Sequence, residues 1–114
     1  GVIDRGEPVT AFVAVNDIMA IGVLDAILDA GKRVPEDYSV CGCDNTSVSK
    51  YRGISLTSVE SYARQTGREA VDILVRRVEG GGRPSELEDS PDGITRVEYF
   101  PKLIVRRSTG PASR

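Results

Sequence analysis

The chain has 114 residues, with 15 basic and 17 acidic side chains for a net charge of -2, two cysteines and no histidine. Such a length is that of one ordinary domain, and the charge balance offers nothing to attract a phosphate backbone or an anionic membrane. Without histidine, an imidazole triad, a histidine general base and a histidine-ligated metal are all excluded within these residues.

The chain opens at Gly1, inside what reads as a connecting segment, so a piece of a longer protein is expected. Its longest apolar run, 11–15, is too short to cross a bilayer, and no charged-then-apolar signal region begins it. That run, AFVAV, is continuous and ends at Asn16-Asp17, the pattern of a parallel-sheet strand buried on both faces. Ile18, Met19, Ile21, Val23, Leu24, Ile27 and Leu28 then recur at helical spacing, with either Asn16 or Asp17 able to cap the first amides. Gly31 suits a left-handed helix end, Lys32 and Arg33 suit the negative end of the dipole, and Pro35 stops the helix.

YSVCGC (38–43) predicts a second strand, parallel to the first, ended by Asp44-Asn45. Residues 46–53 predict a short helix or ordered loop with Tyr51 packed inward, and ISLTSV (54–59) a third strand. A second helix is predicted over 62–80, with Tyr62, Ala63, Thr66, Gly67, Ala70, Val71, Leu74 and Val78 on one face. The triple glycine 80–82 ends it and 83–93 reads as a surface loop. VEYF (97–100) and LIV (103–105) predict strand segments interrupted by Pro101, and the tail 108–114 is expected to fray.

Alternating strands and helices predict an open, mostly parallel α/β sheet, whose ligands bind beyond the carboxyl ends of the strands. That rule places Asn16, Asp44-Asn45 and Glu60-Ser61 at one rim. Asp44 could bridge adjacent sugar hydroxyls or two N–H donors of a base, or it could cap residues 46–49. Asn16 and Asp17 pose the same choice between capping and facing the crevice. Cys41 and Cys43 point to one side of a strand with no further ligand pair nearby, so reduced, small buried residues are expected and no metal site. No glycine-rich phosphate loop opens a helix, and no nucleophile or paired acid and base is patterned, so a binding domain is expected and not an enzyme, with no cofactor.

Three stretches carry a resemblance: ND-x-x-A-x-G (16–22) with VPEDYSV-x-G-x-D (34–44), LT-x-V (56–59), and a final basic strand ending in Ser-Thr. Together, from about Thr10 to Thr109, they resemble the C-terminal part of the effector-binding region of LacI/GalR-type transcription regulators. The resemblance implies a periplasmic-binding-protein-like fold of type I, two α/β lobes with the effector in the cleft between them. On it, 1–61 and 102–107 would belong to the C-terminal lobe, 62–100 to the N-terminal lobe, and 108–114 to a tail, with chain crossings near Ser61-Tyr62 and Pro101. Asn16 and Asp44 match effector-contacting positions. Ser61 matches a contact position where glutamine is frequent; Cys43 stands where the family often shows an aromatic residue, and Ile54-Ser55 replace a frequent Pro-Pro.

The implied partners are a small-molecule effector, most often a sugar with a nucleobase or nucleoside as the other class, and operator DNA through a helix-turn-helix outside this segment. A homodimer is implied as well, with Met19, Val23, Leu24, Ile27 and Tyr51 as interface candidates, each equally able to be core. The implied setting is cytoplasmic, which free thiols suit. An extracytoplasmic sugar-binding protein of a transport system is the alternative carrier of the same fold.

Overall fold

The computed structural model describes residues 3, 5, 7–79 and 95–112. The triple glycine and the loop expected at 83–93 lie outside them. The chain divides into two units, Gly1–Ser61 with Pro101–Arg114, and Tyr62–Phe100.

In the first unit β1 (Ala11–Val13), α1 (Asp17–Asp29), β2 (Ser39–Cys43), a single 3-10 turn (Val48–Lys50), β3 (Thr57–Glu60) and β4 (Lys102–Ile104) succeed one another in chain order. The four-stranded sheet has the order β1-β2-β3-β4. β1 and β2 are parallel, as are β2 and β3, while β4 runs antiparallel to β3. The parallel strands β1 and β2 are joined through α1, as a strand–helix–strand crossover requires.

Both ends of α1 are made locally. Asn16 is the N-cap, its side-chain oxygen accepting the Met19 amide at 2.8 Å. At the other end Gly31 takes φ 67°, and its amide and that of Lys32 return to the Leu28 and Ile27 carbonyls, a Schellman closure. Arg33 does not serve the helix end. It donates from Nη2 to Asp37 at 2.9 Å and from its amide at 2.8 Å, tying the turn before β2. Beside that guanidinium the Asp37 carboxyl is lowered to about 2, first by the side-chain hydrogen bond and then by the backbone one.

α1 lies on one face of the sheet, where Ala20, Leu24 and Ile27 meet Val40 and Leu56 to form the buried core, with Phe12, Ala14 and Val23 packed around it. Leu24 and Ile27 are therefore core and not available as dimer contacts, whereas Met19 and Tyr51 are exposed. The inward packing expected of Tyr51 is not found, because the 3-10 turn preceding it is anchored instead by buried Ser49, whose hydroxyl donates to the Thr46 carbonyl at 2.7 Å.

The burial of β1 on both faces is also corrected. Val13 is 82% exposed, because within its own unit the one described α-helix, α1, lies on the other sheet face, opposite the one that carries Val13, Cys41, Cys43, Val59 and Leu103. The third strand starts at Thr57 and not at Ile54, since Ser55 turns with φ 47° and its amide bonds back to the Tyr51 carbonyl.

The tail does not fray over 108–110. Ser108 enters between the amino ends of β2 and β3: its hydroxyl donates to the Val40 carbonyl at 2.6 Å and accepts the Thr57 amide at 2.7 Å. Thr109 shares a 2.8 Å hydrogen bond with Thr57, and the Gly110 amide donates to the Ser39 hydroxyl at 3.1 Å. Backbone groups left open where the strands begin to pair give polar tail residues a reason to order.

The second unit holds α2 (Ala63–Val78). Tyr62 stacks on Tyr99 with ring centroids 5.6 Å apart, and Arg77 donates to the Thr95 hydroxyl at 3.0 Å. The helix face read as apolar is there, but no residue of α2 is buried, and Val71, Leu74 and Val78 are exposed. Residues 97–100 form no strand, because no described strand in this unit lies beside them to complete a ladder.

Candidate functional site

The carboxyl ends of β1, β2 and β3 lie side by side, and each leads into polar residues: Asn16, Asp44-Asn45 and Ser61. The three site residues expected from sequence are thus brought to one edge of one sheet, each in a different condition.

Asn16 is half-buried and its side-chain oxygen is taken by the helix cap, leaving its amide Nδ2 as the group it can present. Its neighbour Asp17 turns inward and is completely buried. The choice between them thus resolves: Asn16 caps, and Asp17 is neither cap nor rim.

Asp44 is exposed, with φ 97°, a backbone region that side chains other than glycine rarely adopt. Its amide donates to the Val59 carbonyl at 2.8 Å, while its carboxylate makes no hydrogen bond among the described residues. It does not cap the turn at 48–50, whose N-cap is Ser47.

Asn45, also left-handed at φ 47°, is the member of the pair that binds the turn to the sheet. Its amide donates to the Ser58 hydroxyl at 3.0 Å and its Nδ2 to the Glu60 carboxylate at 2.7 Å. Its side-chain oxygen accepts from the Arg106 guanidinium, which also donates to the Leu56 carbonyl at 2.6 Å. The turn after β2 is so bound to the end of β3 and to the segment after β4. Nothing local in the sequence marks Arg106 for this role, since it stands there only as part of a basic strand.

Ser61, after β3, has a buried hydroxyl with no hydrogen-bond partner among the described residues. A buried polar group left unmatched costs about 1–3 kcal/mol, so this position calls for a partner.

Among the described residues no group of Cys, Asp or Glu is arranged to hold a metal. Burial pushes the Cys41 thiol up, and the neighbouring Cys43 and Asp17 add to the effect, so Cys41 is held in its unreactive protonated form. No helix of the described residues is long and apolar enough to cross a membrane.

The rim can therefore present an acceptor-only carboxylate from Asp44 and an amide donor from Asn16, while the Ser61 hydroxyl lies buried. Such groups suit the holding of a polar molecule.

The periplasmic binding protein-like domain matches residues 2–109. The HTH-type transcriptional repressor PurR of Haemophilus influenzae (strain PittEE) is 33% identical over 87% of this chain and 28% of its own length. A LacI family transcriptional regulator from Arthrobacter sp. FB24, solved in complex with lactose, is 32% identical with a TM-score of 0.75, over 96% of this chain and 38% of that one. The dimeric Lac repressor is 28% identical with a TM-score of 0.77, over 99% and 38%. The chain spans less than a third of the length of the curated relatives it matches. With the sheet order, the polar rim and these likenesses together, the chain belongs to the periplasmic binding protein-like domain family, in the form found in the effector-binding region of LacI/GalR-type regulators.

Proposed function

We propose that this chain is the effector-sensing portion of a cytoplasmic LacI/GalR-type transcription regulator, a repressor, that binds a small polyhydroxylated molecule and shifts between two lobe arrangements on binding. The observation that carries the reading is Asp44. A non-glycine residue at φ 97° costs about 1–2 kcal/mol, and here the cost returns no hydrogen bond of the carboxylate within the described residues. Holding a charged side chain at the rim is what that conformation achieves.

The chemistry favours a sugar. Asp44 accepts from a pair of hydroxyls and Asn16 donates from Nδ2, which is the complement of a polyol, and Ser61 would join them only if lobe movement uncovers its hydroxyl. An anionic effector would meet the carboxylates of Asp44 and Glu60 on the same edge. The lactose bound to the Arthrobacter relative agrees with this class. The transport alternative shares the fold but gains no observation, whereas the named relatives are transcriptional regulators, two of them repressors.

In this reading residues 1–61 and 102–107 belong to the C-terminal lobe and 62–100 to the N-terminal one. Operator DNA is read by a helix-turn-helix outside these residues. Two copies pair through exposed residues of α1, Ile18, Met19 and Leu28, and through Tyr51 at the end of the 3-10 turn after β2, and not through Leu24 or Ile27. A dimeric Lac repressor among the similar structures supports pairing.

Asp44→Gly in the intact regulator tests the site. Losing two charge-assisted hydrogen bonds, about 1.5 kcal/mol each at the low end, should weaken effector binding by about 100-fold or more. Glycine relieves the backbone, so the melting temperature should hold or rise. Wild-type calorimetric affinity in that variant would overturn the assignment.

A further inference from the structure

Asp17 is fully buried, with hydrogen bonds from Thr46 and Ser58 but no cation among its described partners. Its place in the helix is the one an apolar residue would fill, since 17, 20, 24 and 27 form one stripe with the core residues Ala20, Leu24 and Ile27. A buried charge is a poor source of stability, because desolvation offsets most of what its hydrogen bonds contribute. What such a group supplies is geometry, and its partners show where.

Three successive amides of the turn after β2 are each anchored. Asp44 N–H reaches the Val59 carbonyl at 2.8 Å, Asn45 N–H the Ser58 hydroxyl at 3.0 Å, and Thr46 N–H the Asp17 Oδ2 at 2.7 Å. Ser58, having accepted from Asn45, donates its own hydroxyl hydrogen bond to Asp17 Oδ1 at 2.6 Å, and the Thr46 hydroxyl donates to Oδ2 at 2.8 Å. Two of these anchors therefore end on one carboxylate. Its position at the first residue of α1, where the helix dipole favours negative charge, adds support. The residues it clamps have φ 97° and 47°, a pair that free chains of Asp and Asn rarely hold.

We propose that Asp17 is the positioning residue of the effector site: through Thr46 and the Ser58 hydroxyl it locks the Asp44-Asn45 turn in the left-handed conformation that presents the Asp44 carboxylate at the rim. The proposal rests on the reading of Asp44 as an effector contact. Asp17 itself stays buried and never meets the effector.

The test uses the intact regulator in four forms besides wild type: Ser58→Ala and Thr46→Val, which each remove one hydroxyl from the clamp at nearly constant volume, Thr46→Ser, which restores it, and Ser108→Ala, which weakens the far ends of β2 and β3. Amide hydrogen exchange of Asp44, Asn45 and Thr46 is the first readout. Exchange there should quicken about tenfold or more in Ser58→Ala and Thr46→Val but not in Thr46→Ser, with the amides of α1 unchanged. The second readout is the affinity for whichever saccharide, from a panel of mono- and disaccharides including lactose, raises the wild-type melting temperature most. That affinity should fall about tenfold in the two clamp variants, the equivalent of one hydrogen bond, and stay at the wild-type value in Ser108→Ala even where its melting temperature falls as far. Unchanged exchange at the turn, or affinity tracking melting temperature across all variants, would overturn the clamp. If no saccharide binds, or Asp44→Gly binds like wild type, the reading of the site fails while the exchange data still decide the clamp.

Discussion

Gly42 is required for space and not for a turn, and its replacement measures how tightly Asp17 is held. A Cβ built there would lie 2.5 Å from Asp17 Oδ1, 2.9 Å from Leu56 Cδ2 and 3.2 Å from the Asp17 Cα. The leucine methyl can rotate away, but the Asp17 Cα is helix backbone and its carboxylate is fixed by Thr46 and Ser58. Gly42→Ala must therefore push α1 off the sheet or break the Ser58 bond. Overpacking costs about 1–3 kcal/mol, and a hydrogen bond to a charged group adds about 1.5–3 kcal/mol if it breaks. Against these stands about 0.4–1 kcal/mol from the stiffer unfolded chain. The expected net loss is about 2–4 kcal/mol, read as a lower urea midpoint with unchanged slope on the intact regulator. The route can be separated from the magnitude. If the methyl acts by displacing the carboxylate, Gly42→Ala and Ser58→Ala will be less than additive, since the second has already removed the bond that the first breaks. A loss below about 0.5 kcal/mol would refute the close approach of helix and strand, and strict additivity would refute the displacement.

Particular contacts elsewhere carry their own expectations. The Asp37 carboxyl should titrate near 2 in a carbon-detected NMR titration and return toward its ordinary 3.8 in Arg33→Ala. Because the folded value is the depressed one, the stabilisation it gives is present above about 3.8 and is lost as pH falls through about 2. Ser108→Ala should cost about 2–4 kcal/mol in urea unfolding, since it strands the Thr57 amide and the Val40 carbonyl in a buried place, whereas a frayed tail would give no change. Met19→Asp should weaken self-association in sedimentation equilibrium without lowering the melting temperature of the monomer, while Ile27→Ala should cost about 2–5 kcal/mol of fold stability. An equal effect of both on association would put the pairing surface elsewhere.

Much of the first unit is readable because its signals are local. An apolar run closed by Asn-Asp, a helical stripe closed by glycine, and a second run closed by Asp-Asn each mark where the chain changes structure, and the strand–helix–strand rule alone sets β1 beside β2 in parallel. What cannot be read depends on atoms far away in the chain. Val13 looks like any central-strand valine until the sheet face above it is found uncovered. The segment Ser108-Thr109-Gly110 has the composition of a loose end, and orders only because β2 and β3 leave backbone groups open where it passes. Asp17 falls between these cases. Its burial is legible in the phase it shares with Ala20, Leu24 and Ile27, but a carboxylate on an apolar stripe reads as a cap or a surface residue unless its donors are known, and those donors sit 29 and 41 residues on. The same distance separates fold from site. Asp44 could be chosen from its place at a strand end, but the reason it points outward is that Asn45 and Thr46 are bound inward, and that reason resides in Asp17, Ser58 and Arg106. The outward carboxylate of Asp44 is thus less a property of its own position than of the neighbours that leave it no inward partner among the described residues.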